Sequence, residues 1–136
     1  ALVLTIDGGS YRSTTTGLFI NNKNMTIKDG IFNYTGYVVD NNSKLIIDGG
    51  RIETSVKAID SSRGTVIMNG GYIYSSDIAI VNGTFTMNGG TIGNSGSGAG
   101  IYNYTEYKTG LIFKTWHYAT VNLNGGTYKS YVEGHS

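Results

Sequence analysis

One phrase recurs six times along this chain, and it constrains the fold more than any single residue does. It reads apolar, any, apolar, polar, then Gly-Gly or a close variant, then any, then apolar. The first copies are Leu4-Thr5-Ile6-Asp7-Gly8-Gly9-Ser10-Tyr11, Met25-Thr26-Ile27-Lys28-Asp29-Gly30-Ile31-Phe32 and Leu45-Ile46-Ile47-Asp48-Gly49-Gly50-Arg51-Ile52. The later ones are Val66-Ile67-Met68-Asn69-Gly70-Gly71-Tyr72-Ile73, Phe85-Thr86-Met87-Asn88-Gly89-Gly90-Thr91-Ile92 and Val121-Asn122-Leu123-Asn124-Gly125-Gly126-Thr127-Tyr128. The last glycine of each phrase falls at 9, 30, 50, 71, 90 and 126, in steps of 21, 20, 21, 19 and 36. Self-similarity at a period near 20 residues is the mark of a solenoid, in which each repeat buries its apolar face only against its neighbours.

Each apolar-any-apolar triplet alternates, so its two outer members share one face. The expected inward pairs are Leu4/Ile6, Met25/Ile27, Leu45/Ile47, Val66/Met68, Phe85/Met87 and Val121/Leu123. The glycines then permit a sharp corner through φ values that a Cβ would penalise. Tyr11, Phe32, Ile52, Ile73, Ile92 and Tyr128 point inward again beyond it. A third apolar group follows in most repeats: Leu18-Phe19-Ile20, Tyr37-Val38-Val39, Ala58-Ile59, Ile78-Ala79-Ile80-Val81 and Ile101-Tyr102. Three short strands per period make a triangular coil. Propeller blades need about 40 residues, and equivalent strands one period apart must run parallel. The expectation is an all-β chain forming a single right-handed parallel β-helix. This three-faced β-solenoid has about six to seven coils of about 20 residues each. One domain spans 1–136, with an irregular aromatic-rich insertion at about 94–120.

The chain resembles the right-handed parallel β-helix repeat proteins. It is closest to the Gly-rich solenoid repeats of bacterial surface and secreted proteins, through phrases such as Thr86-Met87-Asn88-Gly89-Gly90-Thr91-Ile92. The resemblance covers nearly the whole chain. It implies a fold and leaves function open, since such coils serve adhesins, sugar lyases and viral spikes alike.

Composition narrows the remaining choices. Charged residues make up 14% and the net charge is +1, whereas a nucleic-acid binder would show a basic stripe. No apolar run approaches the ~20 residues that cross a bilayer. Zero cysteines remove disulfides and thiolate chemistry together. Zero prolines suit a chain whose backbone N–H groups are nearly all paired.

Stacked coils bring equivalent residues about 4.8 Å apart. The position before the glycines reads Asp7, Lys28, Asp48, Asn69, Asn88, Asn124. Lys28 is expected between two carboxylates, and the asparagines in a hydrogen-bonded ladder. The competing reading, a calcium or acid/base site from Asp7, Asp29 and Asp48, is opposed by Lys28. Asp40, Asp60 and Asp77 fall at another corner, and Arg12, Arg51 and Arg63 do not converge on them. No catalytic or metal residue is therefore assigned, and no cofactor. Outward Thr5, Thr26 and Thr86 are interrupted by Ile46 and Ile67, which speaks against an ice-binding array.

The insertion carries Tyr102, Tyr104, Tyr107, Trp116, His117 and Tyr118. It is read as a contact surface for a sugar or another chain, with core filling by Leu111-Ile112-Phe113 as the plain alternative. Five Asn-x-Ser/Thr sites, at Asn24, Asn33, Asn41, Asn82 and Asn103, leave glycan decoration open. Neither end shows a capping segment, so Leu2, Leu4, Ile6 and Tyr11 at one end are expected to present open edges. Val121, Leu123 and Tyr128 would do the same at the other. The resulting expectation is a non-enzymatic extracellular or cell-surface protein. Either neighbouring coils of a longer repetitive protein cap these ends, or, as the reading taken, the chain joins copies of itself head to tail into a filament, without nucleic acid or membrane insertion. An adhesin or carbohydrate-binding module is the alternative, and a polysaccharide lyase or hydrolase the third reading.

Overall fold

The computed structural model describes residues 3–13, 19–34, 38–55, 57–61, 64–75, 77–80, 83–94, 101–102, 104–109, 113–118, 120–129 and 132–133. Leu2, Leu18, Tyr37, Arg63, Val81, Asn82, Asn103, Leu111 and Ile112, each singled out above, lie outside the described residues. The described strands are, in order, β1 (Val3–Ser13), β2 (Phe19–Asn21), β3 (Asn24–Tyr34), β4 (Val39–Asn41), β5 (Lys44–Ile47) and β6 (Arg51–Thr54). There follow β7 (Lys57–Ser61), β8 (Thr65–Met68), β9 (Tyr72–Ser75), β10 (Asp77–Ile80), β11 (Thr84–Met87) and β12 (Thr91–Asn94). The last are β13 (Ile101–Tyr102), β14 (Tyr104–Thr109), β15 (Phe113–Tyr118), β16 (Thr120–Leu123), β17 (Thr127–Lys129) and β18 (Val132–Glu133). No helix occurs among the described residues.

The strands stack in parallel as a β-solenoid with three ladders. The first aligns the apolar triplets, β1–β3–β5–β8–β11–β16, so that Leu4, Met25, Leu45, Val66, Phe85 and Val121 stand in one column. The second, β1–β3–β6–β9–β12–β17, aligns Tyr11, Phe32, Ile52, Ile73, Ile92 and Tyr128. The third, β2–β4–β7–β10–β13–β18, aligns Phe19, Val39, Ile59, Ile78, Ile101 and Val132. Strands β1 and β3 are long because each runs through the glycine corner and serves two ladders.

The core is the shared interior of these columns. Met25, Ile27, Phe32, Leu45, Ile47, Ile52, Val66, Met68, Ile73, Phe85, Met87 and Ile92 are all buried. Val38, Val39, Ala58 and Ile59 close the interior from the third side. The Leu18-Phe19-Ile20 group is corrected in one respect. Strict alternation in β2 sends Phe19 inward and Ile20 out, where it is 72% exposed.

The last glycine of every phrase has positive φ, from 86° at Gly90 to 130° at Gly30. The first glycine is needed for a different reason. A Cβ built on Gly49, Gly70 or Gly89 would strike the carbonyl oxygen of Lys28, Asp48 or Asn69 in the rung before. Adjacent corners therefore touch backbone to backbone.

One rung breaks this rule and shows its effect. Asp29 occupies the first-glycine position of β3, and its Cβ must be accommodated by β1. The register of that pair shifts between Ile6 and Asp7, and again before Ser10. Gly8 takes φ 111° in addition to the 94° of Gly9. Asp7 pairs with Asp29, not with Lys28. The expected alternation Asp7–Lys28–Asp48 is thus not formed, and Lys28 makes no ion pair among the described residues.

Candidate functional site

The residues singled out from the sequence fall into three groups: the corner ladder, the two ends and the aromatic segment. The ladder begins above the irregular rung. Asn69 Nδ2 donates to Asp48 Oδ1 at 2.9 Å, Asn88 Nδ2 to Asn69 Oδ1 at 2.9 Å, and Asn124 Nδ2 to Asn88 Oδ1 at 3.0 Å. Every bond points the same way, and the row starts on a carboxylate, which can only accept. These side chains are exposed, so each bond contributes modestly.

A second polar row, inside the coil, was not foreseen. Asn21 Nδ2 donates to Asn41 Oδ1 at 2.8 Å and to the Lys44 carbonyl at 2.9 Å. Asn41 Nδ2 reaches Ser61 Oγ at 3.1 Å and the carbonyls of Ser43 and Thr65 at 3.1 and 3.2 Å. All three side chains are buried, Asn41 and Ser61 completely. They satisfy carbonyls at the corner where the chain passes from the third ladder to the first. The steps of 20 residues from Asn21 to Asn41 to Ser61 are the signal that could have revealed them. Burial also removes Asn41 from the possible glycan acceptors of the folded chain.

At the lower end Leu4 is 50% exposed, and at the upper end Leu123 is 46% exposed. Between them, Met25, Leu45, Val66 and Phe85 in the one column and Ile27, Ile47, Met68 and Met87 in the other are at most 1% exposed. Ile6 is buried, while Tyr11, Val121 and Tyr128 are partly buried against the core. Tyr11 stacks on Phe32 with centroids 5.0 Å apart and planes 8° from parallel. Its hydroxyl donates to the Gly8 carbonyl at 3.1 Å.

The aromatic segment departs from the parallel scheme. Ile101–Tyr102 belongs to the third ladder, and β14 and β15 then form an antiparallel pair. Tyr104 lies opposite Tyr118, Thr105 opposite His117, Glu106 opposite Trp116 and Tyr107 opposite Thr115.

Asp40 and Asp60 share a register position in the third ladder. Lys57 Nζ stands 3.5 Å from Asp60 Oδ2. Arg51 lies on the second ladder, paired with Glu53, so it does not reach them. Asp77 pairs with Lys57 along the backbone. Among the described residues no three His, Asp or Glu side chains gather in a way that could hold a metal ion. Comparison with protein-family models, curated proteins and solved structures finds no match to this chain.

Proposed function

We propose that this chain is a non-enzymatic structural subunit of the cell surface or extracellular space. It stacks end to end on copies of itself to build a fibre. Counting one apolar triplet per coil gives six coils, wound right-handed by the preference of parallel crossovers. The carrying observation is the exposure of Leu4 and Leu123, half open at positions whose counterparts in the interior are sealed. Stacking a second copy would continue each column. Val121 would meet Leu4 of the next copy, Leu123 would meet its Ile6, and Tyr128 would add to the Tyr11–Phe32 ring stack. Completing the burial of each half-exposed leucine contributes about 1 kcal/mol. Among the described strands β1, β16 and β17 pair on one side only, and their other edges would supply backbone hydrogen bonds as well. A head-to-tail contact of this kind joins two different surfaces and does not close, so it propagates.

The test uses one block at each end. Leu4→Asp and Leu123→Asp should each be monomeric in sedimentation velocity, whereas the unaltered protein forms rods that lengthen with concentration. A 1:1 mixture of the two variants has one intact lower end and one intact upper end available, and should stop at dimers. Unaltered protein that stays monomeric at millimolar concentration, or a single variant that dimerises alone, would overturn the proposal.

A further inference from the structure

An aromatic surface lies on the outward face of the second ladder, on the inner rung β9. Tyr72 and Tyr74 alternate outward from β9, with centroids 6.4 Å apart and planes 13° from parallel. Tyr74 is 39% exposed. Its partner in the next rung is Gly93. A Cβ there would meet the Tyr74 ring edge, Cδ2, at 2.9 Å, so the missing side chain leaves room for the ring to lean over the next rung. In the rung before, the Arg51 guanidinium carbon stands 4.6 Å from the Tyr72 ring centre. Arg51 Nε and Nη2 both donate to one oxygen of Glu53, Oε1, the former at 2.8 Å. Glu53 Oε2 receives no hydrogen bond among the described residues, and Arg51 keeps unused N–H donors.

We infer that this platform binds a neutral sugar ring of an oligosaccharide. A pyranose has an apolar C–H face and a perimeter of hydroxyls that both donate and accept. Tyr74 offers a partly exposed aromatic ring of low conformational entropy. Beside it, the Arg51–Glu53 fork presents free donors and a free acceptor to adjacent hydroxyls. The pair is internally neutralised, so neither an anionic nor a cationic ligand is favoured. A stacking nucleic acid would need a basic track along its backbone, which Glu53 interrupts. An apolar peptide would have to bury the ion pair. The inference does not depend on end-to-end assembly, because it uses a different face.

The experiment is binding of the intact protein to an array of immobilised neutral and carboxylated oligosaccharides, with a single-stranded oligothymidine as a further probe. Retention of neutral oligosaccharides is expected. Tyr74→Ala should weaken it at least tenfold, Tyr74→Phe should leave it within twofold, and Glu53→Ala should weaken it severalfold. Melting temperature and rod formation should not change. The inference fails if no neutral oligosaccharide is retained or if Tyr74→Ala binds as the unaltered protein does. Preference for the carboxylated sugars or the oligothymidine would also overturn it.

Discussion

Two rows of polar side chains climb this molecule, and burial gives them different energetic weight. Asn41 is wholly enclosed, accepts from Asn21 and donates toward Ser61, Ser43 and Thr65. Removing it strands several buried groups at once, each costing more than the bond itself was worth. Asn69 sits in the open, and water replaces both of its partners, Asp48 and Asn88. Asn41→Ala should therefore cost about 3 kcal/mol and Asn69→Ala about 1 kcal/mol, read from urea midpoints. The opposite order would show that the outer row, not the inner one, holds the coils in register.

At the scale of the element, glycine sets how closely two rungs approach. Gly70 lies so near the Asp48 carbonyl that any Cβ must push the rungs apart. Gly70→Ala should lower stability by about 3 kcal/mol, again from the urea midpoint. A loss below about 0.5 kcal/mol would refute the backbone-to-backbone contact. Strand register was readable before the structure because the period aligns every triplet, and the columns follow from that alignment. What escaped had physical reasons. Ile20 was grouped with its apolar neighbours although alternation turns it outward. Lys28 was aligned by counting, but the Cβ of Asp29 displaces the pairing of β1 by one residue. Asn21, Asn41 and Ser61 were passed over because polar residues beside turns read as solvent-facing by default. The tyrosine platform needed two rungs to be seen together, since nothing within Tyr72-Ile73-Tyr74 announces the bare Gly93 above it.

Across the whole molecule, each rung is sealed only by its neighbours, so stability should be highest in the middle. Backbone hydrogen exchange of the monomeric Leu4→Asp variant should be slowest in β5 and β8. It should be at least tenfold faster in β1, β16 and β17. Uniform protection along the stack would contradict a nearest-neighbour solenoid. In the proposed end-to-end assembly the gradient should flatten, because outer rungs would become inner ones. The corner amides add a sense of direction to this architecture. Each carboxamide nitrogen faces back toward the preceding rung, and the oxygen of Asn124 meets no donor among the described residues. The proposed stack of such subunits would have an arrow built into it: its two tips would be chemically unlike, giving the thread a fixed leading and trailing end.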